Sequence, residues 1–310
     1  MQPSANLPHS KPFEWPRWSL DMESSEKRTA QLLQPEVQRG NQAWWSDNPM
    51  AYDWRDENKD DRFSLKWFDE MDRRFLHGSR LFATREVPFD QLIPYERLRG
   101  ARVLEIGCGM GLHSELLARA GADLTSIDIS PTSIDATRRR LSLRGLHAET
   151  VQMDAEQLQF DDRSFDFVWS WGVIHHSSRT ARVVREIARI LKKSGETRVM
   201  VYNREGLPAR LTLLKEHVLR GGFLKRSFEE TLYMHTDGFT ARYYVAEQFE
   251  DLFRAFFDDV SSQVLGQDAD AIPLPRKLRV HALRWIPENY VKRAQARRGG
   301  FIFLRAGKLV

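Results

Sequence analysis

Residues 103–111 constrain the fold of this chain most tightly. Val-Leu-Glu-Ile at 103–106 has the composition of a buried strand, and glycine follows at every second position of 107–111. Because glycine has no Cβ, its backbone can adopt positive φ and let a ligand approach the main chain closely. Residues 112–120 then have the apolar spacing of a helix, whose free N–H groups would face the loop. The stretch predicts a strand, a tight loop and a helix, either as a ligand site or as a plain structural turn.

Strand and helix patterns alternate beyond this unit. The strand patterns are short apolar or alternating runs at 103–106, 123–128, 148–153, 164–171, 196–203, 260–265 and 300–304. The helical patterns occupy 23–33, 63–82, 112–120, 131–144, 179–193, 207–219 and 247–257. Ser130 and Pro131 have the residue types of a helix start, and Gly195 is expected to end a helix. The alternation predicts the α/β class, with a doubly wound, mostly parallel seven-stranded sheet.

The segments around this alternating region differ from it in composition. Residues 1–40 are rich in proline, serine and charge, so we expect a flexible N-terminal arm. Six of the nine tryptophans lie in the first 67 residues, and residues 41–97 are expected to form an aromatic-rich helical cap or to line a substrate cavity. Residues 98–203 would form the core. Residues 204–310 would complete the sheet and add lid insertions.

Composition excludes several classes of protein. Hydrophobic residues make up 41% of the chain and charged residues 29%, which is ordinary for a globular protein. Every apolar run is interrupted before the roughly 18 to 20 residues that a membrane-spanning helix needs. The first residues lack the basic and then apolar regions of a secretory signal, so we expect a cytoplasmic protein. The single cysteine, Cys108, cannot form an internal disulfide or a zinc cluster, and it fits the glycine loop as a small residue.

Charge is nearly balanced over the whole chain but not along it. The formal net charge of +4 is too small to indicate a nucleic-acid partner. Residues 271–310, however, contain ten Lys and Arg and a single acid, Glu288. This excess favours an anionic partner or surface, and peripheral membrane contact of residues 276–298 is one form that this could take. A solvated basic face explains the same composition.

Three acidic residues stand at the ends of successive predicted strands. Glu105, Asp128 and Asp154 would meet at the carboxyl edge of a parallel sheet, where ligands bind. Asp128 is placed to accept hydrogen bonds from both hydroxyls of a ribose. The glycine spacing differs from that of dinucleotide sites, and carboxylates repel a pyrophosphate but attract a sulfonium and an amino group. The pattern favours S-adenosylmethionine over NAD, although each acid alone is equally explained as a helix cap or a surface charge.

Five motifs in this order resemble class I S-adenosylmethionine-dependent methyltransferases. They are VLEIGCGMG from 103, SIDIS from 126, QMDAEQLQF from 152, FDFVWSWGVIHH from 165 and REIARILKKSGETRVMVY from 185. Within that class the chain most resembles the ubiquinone and menaquinone biosynthesis methyltransferases and related small-molecule enzymes. The resemblance covers about residues 98–203. It implies a Rossmann-like fold, S-adenosylmethionine as the cofactor and methyl transfer to a small molecule.

The resemblance also assigns roles to the glycine loop. Gly107, Gly109 and Gly111, with Cys108 between the first two, resemble the loop that passes under the methionine part of the cofactor. Glu105, at the end of the preceding strand, resembles the acid that supports the amino group of that methionine. These five residues are therefore expected to bind the cofactor.

Residues after the second and third strands take further roles by the same resemblance. Asp128 resembles the acid that binds the ribose, and Ile129 resembles the apolar contact of the adenine ring. Asp154, together with the backbone of Ala155, resembles the group that recognises the adenine amine. The resemblance thus implies that the adenosine lies across the ends of these two strands.

The fourth strand ends with candidates for both cofactor binding and catalysis. Ser170 and Trp171 resemble residues that lie beside the methionine moiety. His175 and His176 follow, and an imidazole that titrates near neutral pH suits a general base for an acceptor that must lose a proton. A histidine that only bonds the backbone at a helix start is the alternative for each of the two.

The methyl acceptor is constrained mainly by missing motifs. The fourth strand is not followed by Asn-Pro-Pro-Tyr or Asp-Pro-Pro-Tyr, and the only cysteine lies in the glycine loop, so a nucleic-acid acceptor is not expected. No metal-binding motif is apparent. We expect a small amphipathic or anionic acceptor, with its reacting atom and the oligomeric state left open. Two alternatives remain: a non-catalytic subunit that binds the cofactor, and an enzyme that transfers another group, such as aminopropyl.

Overall fold

A seven-stranded sheet forms the centre of the protein. The computed structural model describes residues 26–52, 59–79, 82–84, 87–274 and 276–310. The strands are β1 (Arg102–Ile106), β2 (Asp123–Asp128), β3 (Glu149–Gln152), β4 (Phe165–Trp171), β5 (Leu191–Tyr202), β6 (Phe257–Leu265) and β7 (Phe301–Leu309). Their order is β3-β2-β1-β4-β5-β7-β6, and β7 runs antiparallel to both of its neighbours. The predicted doubly wound, mostly parallel sheet is therefore confirmed.

Helices flank the sheet and extend beyond it. Within the described residues they are α1 (Glu26–Asp47), α2 (Leu65–Ser79), α3 (Leu112–Arg119), α4 (Pro131–Leu143), α5 (Thr180–Ile190), α6 (Leu207–Thr212), α7 (Phe228–Tyr233), α8 (Ala246–Arg254), α9 (Asp268–Ala271), α10 (Arg276–Ala282) and α11 (Glu288–Arg298). None of the helices in the described parts is long and apolar enough to cross a membrane. The predicted cytoplasmic location stays a prediction.

Two apolar layers hold the helices on opposite faces of the sheet. Leu104 belongs to the cluster that includes α5 and α8, whereas its neighbour Val103 belongs to the cluster that includes Leu117 of α3. Successive residues of a strand point to opposite faces, so β1 is covered on both sides. The continuous apolar sequence of this strand follows from that double burial.

Two local predictions need correction. Gly195 was expected to end the helix over 179–193, but α5 ends at Ile190 and β5 begins at once with Leu191. The register between β4 and β5 shifts at this point, and a Cβ on Gly195 would lie 2.8 Å from Leu191 Cδ2. The glycine therefore serves an irregular strand rather than a helix end, since only a residue without a side chain fits there.

The described part of the predicted N-terminal arm is more regular than expected, and residues 1–25 of that arm lie outside the described residues. The flexible arm was predicted for residues 1–40 with a short helix over 23–33, but α1 is one helix that continues to Asp47. The expected division between arm and cap at residue 40 thus falls inside a helix, and the four-part domain division otherwise stays a prediction. Trp15, Trp18 and Trp54 lie outside the described residues.

The predicted cap helix over 63–82 is present as α2. Its Trp67, Phe68 and Met71 are buried, and they pack with Met110 of the glycine loop and Ala136 of α4. This part of the aromatic-rich region therefore covers the core. Within residues 204–310, where lid insertions are expected, α6 and α7 precede α8, and α9, α10 and α11 lie between β6 and β7. Their role as a lid stays a prediction.

Arg140 joins the cap to the core through a buried ion-pair network. Its guanidinium is fully buried on α4 and donates to Glu115 Oε2 on α3 at 2.7 Å and to Asp72 Oδ1 on α2 at 2.9 Å. A buried charge is tolerated only when it is paired and hydrogen-bonded, and removal of one partner leaves the others uncompensated. Three helices thus depend on one side chain.

We expect Arg140→Met to lower the free energy of unfolding by about 3 to 5 kcal/mol, because it takes the guanidinium partner from Asp72 and from Glu115, whose carboxylate then keeps only Arg119 and Arg144. Denaturant unfolding followed by circular dichroism measures this. Arg138→Met is the matched control on the same helix, since Arg138 forms an exposed pair with Asp135 and an exposed hydrogen bond to the carbonyl of Thr150, and it should change stability by less than about 1 kcal/mol. Equal effects of the two substitutions would contradict the role of the buried network.

Candidate functional site

A cavity of about 320 Å³ lies at the carboxyl edge of the sheet. The strand ends around it contribute Ile106, Asp128, Trp171 and Tyr202, and β7 contributes Phe301. The predicted site residues that line it are Gly107, Cys108, Gly109, Asp128, Ile129, Asp154, Ala155, Trp171 and His176. The strand ends therefore bring together most of the residues selected from the sequence.

Four predicted site residues do not line the cavity. Gly111 begins α3 with a φ of 80°, and Ser170 is buried with its hydroxyl donating to the carbonyl of Ile106 at 3.2 Å. Glu105 and His175 are buried behind the cavity wall. These four residues lie behind the residues that line the cavity, so they are placed to support the site rather than to touch a ligand.

The glycine loop is held by the neighbouring strand. The N–H groups of Gly107 and Cys108 both donate to the carbonyl of Ile127, at 2.8 and 3.0 Å. Gly107 has a φ of 81°, and a Cβ there would come within 2.2 Å of Val173 Cγ2. Gly109 has a φ of 52°, but a Cβ there would meet no atom within 4 Å. The space above Gly109 is thus open to a ligand, whereas the space above Gly107 is taken by the protein.

Asp128, the last residue of β2, lines the cavity beside the glycine loop. Its carboxylate accepts from the N–H of Gly109 at 3.0 Å and from the N–H of Ser130 at 2.9 Å. Burial raises its pKa above the ordinary value, against these two hydrogen bonds. Each oxygen holds one N–H and has acceptor capacity left, which is what the two hydroxyls of a ribose require.

Asp154 is connected to helix α1. Its Oδ1 accepts from the N–H of Glu156 at 2.8 Å and from Nε2 of Gln38 at 2.9 Å. Gln38 Oε1 in turn accepts from the N–H of Ser178 at 3.2 Å. The side chain of Gln38 therefore bridges the loop after β3 and the loop before α5.

Glu105 is the most strongly shielded acid near the site. Both Ser114 and Ser126 donate hydroxyl hydrogen bonds to its Oε2, the latter at 3.0 Å. Burial raises the pKa of Glu105 to about 7. Its side chain is therefore close to half ionised at neutral pH, and a cation bound in the adjoining cavity would favour the ionised form.

His176 is the histidine of the pair that faces the cavity. Its Nδ1 lies 2.6 Å from the carbonyl oxygen of Thr240, and its ring packs edge-on against Trp45 at 5.1 Å between centroids. A carbonyl can only accept, so the neutral imidazole carries its proton on Nδ1 and keeps a lone pair on Nε2. Burial lowers the pKa of His176 to about 4, so the ring is neutral at physiological pH.

His175 has the other orientation. Its ring packs against Tyr202 at 4.1 Å between centroids and is completely buried, and burial lowers its pKa well below the ordinary value. Its ring nitrogens have no hydrogen-bond partner among the described residues. His175 therefore packs in the interior without the backbone hydrogen bond that the structural alternative expected, and it is His176 that makes such a bond.

Several residues that line the cavity were not selected from the sequence. Gln38, Asn41 and Trp45 all come from α1, and the Asn41 amide donates to the carbonyl of His176 at 2.7 Å. No local motif marks this helix as part of a site, because its role depends on packing against strand ends far away in the chain. Asp237, from the segment after α7, lines the cavity too.

His113, on the first turn of α3, was not selected from the sequence as a site residue, but it lines the cavity. Its ring is surrounded by Phe89, Trp169 and Trp171, at 4.6, 5.3 and 5.8 Å between centroids. Neither ring nitrogen has a hydrogen-bond partner in the described part of the chain, and burial lowers its pKa to about 3. Its place in the first helical turn after the glycine loop was a signal in the sequence that this residue could reach the ligand.

The charge of the cavity wall fits the predicted cofactor. Among the described residues, the wall includes the carboxylates of Asp72, Asp128, Asp154 and Asp237 but no Lys or Arg. S-adenosylmethionine carries a sulfonium and an amino group, so its net charge is complementary to this wall. The open space above Gly109 and the acceptor capacity of Asp128 fit its ribose. No group of three or more metal-ligating side chains occurs in the described ranges.

The sheet topology and the acidic residues of the cavity wall are those expected of a class I S-adenosylmethionine-dependent methyltransferase core. Residues 104–199, about a third of the chain, match the model of the methyltransferase domain family. The cofactor of such a core is S-adenosylmethionine.

Named relatives fall within the same group. A ubiquinone biosynthesis O-methyltransferase of Methylocella silvestris is 32% identical over 155 residues, covering 49% of this chain and 56% of the relative. One from Xanthomonas oryzae pv. oryzae is 35% identical over 130 residues, covering 40% and 52%. The chain spans about half the length of these curated relatives.

Solved structures with a similar arrangement are more distant in sequence. A methyltransferase of Thermotoga maritima, described as a possible histamine N-methyltransferase, is 21% identical with a TM-score of 0.48, covering 78% of this chain and 96% of that one. The [4+2]-cyclase SpnF is 22% identical with a TM-score of 0.48, covering 91% and 94%.

We expect Asp128→Asn to raise the Kd for S-adenosylmethionine roughly tenfold to a hundredfold, because it removes charge-assisted hydrogen bonds of about 1.5 to 3 kcal/mol. Isothermal titration calorimetry measures the affinity. Asp135→Asn is the matched control, since Asp135 is an exposed acid on α4. An unchanged Kd in the Asp128 variant, with its melting temperature preserved, would remove the ribose assignment.

We also expect the affinity for S-adenosylmethionine to rise with pH through neutrality, because ionised Glu105 attracts the cationic ligand and protonated Glu105 does not. The rise between about pH 6 and pH 8 is up to about tenfold for each unit by which the ligand shifts the pKa. The ligand's own amino group titrates equally with every variant, so the difference between wild type and Glu105→Gln reports on Glu105. Parallel pH profiles for the two proteins would contradict this role.

Proposed function

We propose that this protein is an S-adenosylmethionine-dependent methyltransferase that acts on a small-molecule acceptor. The observation that carries the proposal is one cavity that adjoins the open glycine loop, the acids after β2 and β3, and a neutral histidine. When bound, S-adenosylmethionine supplies a methyl group activated by its sulfonium. The chain itself has to hold the two ligands in line, exclude water and accept a proton.

The residues proposed to hold the cofactor are those that line one side of the cavity. Asp128 would bind the ribose, Ile129 would contact the adenine, and Asp154 would accept from the adenine amine. Gln38 supports the last contact because its amide already bonds Asp154 Oδ1. Glu105, buried behind the cavity wall, would stabilise the positively charged amino group electrostatically without contacting it.

The acceptor is proposed to lie against the aromatic side of the cavity. Phe75, Trp171, Tyr202 and Phe301 line this side, with His113 among them. Flat apolar walls of this kind suit an aromatic ring, and the carboxylates elsewhere in the cavity disfavour an anionic acceptor. The relatives named as ubiquinone biosynthesis O-methyltransferases favour an aromatic hydroxyl group as the atom that is methylated. We therefore propose a neutral, amphipathic phenol.

His176 is proposed as the general base. The bond of Nδ1 to Thr240 leaves Nε2 as the acceptor of a proton, and the low pKa keeps the ring neutral beside a cationic cofactor. A neutral base avoids repulsion of the sulfonium, and a phenol loses its proton as the charge of the sulfonium disappears. His175 would act only through its packing against His176, at 4.1 Å between ring centroids.

Peripheral membrane contact by residues 276–298 also remains part of the proposal. In this segment Leu278, Trp285 and Tyr290 are exposed apolar or aromatic side chains, and Trp285 is 88% exposed. Basic residues surround them in the sequence, which is the composition expected at an anionic lipid surface. Such a contact would suit an amphipathic acceptor.

We expect His176→Asn to keep the affinity for S-adenosylmethionine within about twofold but to lower turnover at least roughly a hundredfold, since it removes the basic nitrogen. Turnover is measured as release of S-adenosylhomocysteine with catechol and 4-alkylcatechols as probe acceptors. His147→Asn is the matched control on the exposed surface. Full turnover in the His176 variant would return this residue to a structural role, and transfer of a group other than methyl would favour the alternative enzyme.

We expect His113→Phe to raise the KM for the acceptor roughly tenfold while the melting temperature stays the same or rises. Replacement of a buried unpaired polar group by an apolar group of similar shape is neutral or stabilising, by up to about 1 to 3 kcal/mol. Steady-state kinetics and thermal unfolding measure the two effects. A less stable protein with an unchanged KM would show that His113 serves the fold alone.

A further inference from the structure

Asp237 is an acid of the cavity wall that neither cofactor binding nor the proposed base uses. It lines the cavity and is exposed rather than buried. In the described part of the chain its carboxylate forms no hydrogen bond or ion pair, and partial burial is the single cause that raises its pKa. An ionised carboxylate only accepts hydrogen bonds, at about four lone-pair sites. Asp237 is therefore placed to bind a hydrogen-bond donor of a ligand.

The other acids of the cavity wall already have partners. Asp72 accepts hydrogen bonds from the buried guanidinium of Arg140, with its Oδ1 at 2.9 Å. Asp128 accepts from two backbone N–H groups, and Asp154 accepts from a backbone N–H and a side-chain amide. Of the four acids on the described cavity wall, Asp237 is thus the one whose charge a ligand would have to compensate.

Asp237 belongs to the aromatic side of the cavity. Burial raises the pKa of Tyr202, and the negative charge of Asp237 raises it further, so the two side chains lie near each other. The same charge contributes, after burial and Tyr202, to the raised pKa of Tyr52. The ring of Tyr52 stacks on Phe75 at 4.8 Å between centroids, and both residues line the cavity. The carboxylate of Asp237 therefore lies beside the region proposed for the acceptor.

A short strap, residues 236–242, fixes Asp237 next to the proposed base. Gly238 has a φ of 101°, and a Cβ there would lie 2.7 Å from His176 Nδ1, so the strap backbone packs directly on the imidazole. Further along the strap, the carbonyl of Thr240 accepts the hydrogen bond of His176 Nδ1 at 2.6 Å. Asp237 is thus the immediate neighbour of the residue that contacts the ring.

We infer that Asp237 determines which acceptors bind, by accepting a hydrogen bond from a second donor group of the acceptor, either a hydroxyl or an ammonium. The inference rests on the proposed function and states what the same site recognises besides the reacting hydroxyl. A carboxylate favours such a donor and repels another carboxylate. A hydroxyl would give the neutral acceptor proposed above, whereas an ammonium would give a cationic one.

Four catechols that differ in one substituent test this inference. They are 4-ethylcatechol, 4-(2-hydroxyethyl)catechol, 4-(2-aminoethyl)catechol and 3,4-dihydroxyphenylacetate. Isothermal titration calorimetry of the full chain with S-adenosylhomocysteine measures the Kd of each. Relative to the ethyl compound, we expect the wild type to bind the hydroxyl or the ammonium compound at least roughly tenfold more tightly, and the carboxylate compound at least roughly tenfold more weakly. The tighter of the first two identifies the donor.

Asp237→Asn keeps the size of the side chain and removes its charge. We expect it to weaken binding of the preferred donor compound and to strengthen binding of the carboxylate compound, each roughly tenfold, because an amide can donate to a carboxylate. A disturbed fold would instead weaken the binding of all four compounds. Asp161→Asn is the matched control, since Asp161 is an exposed acid away from the cavity, and it should leave all four Kd values unchanged.

Three results would overturn the inference: similar Kd values of the four compounds in the wild type, no binding of the hydroxyl and ammonium compounds, or an equal change of all four in Asp237→Asn. Binding is measured without turnover. Binding that depends on Asp237, without release of a methylated product from S-adenosylmethionine, would therefore support this inference and contradict the proposed function instead.

Discussion

The carboxylate of Asp128 is the contact on which the site depends. It joins the loop after β1 to the loop after β2, because one oxygen accepts the N–H of Gly109 and the other accepts the N–H of Ser130. The same side chain keeps acceptor capacity toward the cavity. Its burial is unfavourable for a charge, and the two backbone N–H groups offset part of that penalty. The shape of the glycine loop and the proposed recognition of a ribose therefore depend on one carboxylate.

Closure of the cavity depends on elements outside the parallel core. Helix α1 contributes Gln38, Asn41 and Trp45, and the segment after α7 contributes Thr240, whose carbonyl sets the tautomer of His176. A methyltransferase needs little chemistry from its side chains but precise placement of its ligands. His113, a polar ring without a hydrogen-bond partner among the described residues, lies among aromatic side chains at this cavity, where the proposed contact with the acceptor would offset the cost of leaving it unpaired.

Most of the fold was predictable because its signals are local. The alternation of buried strands with helices requires only the apolar spacing of neighbouring residues, and β2 begins and ends where the pattern predicted. Gly195 shows where local reasoning fails: its neighbours resemble a helix end, but the register of β4 against β5 decides that it lies in a strand. Helix α1 was underestimated for a similar reason, since its contacts are with residues far along the chain.

The sequence by itself determined that an acid follows each of the first strands, and hence that Asp128 and Asp154 meet at one edge, because parallel strands align their carboxyl ends. Only the tertiary structure decided which of two adjacent histidines faces the ligand. Consecutive residues in a tight turn point in different directions, and the packing of His175 against Tyr202 leaves His176 at the cavity. That choice depends on contacts between distant segments, which no local pattern in the sequence records.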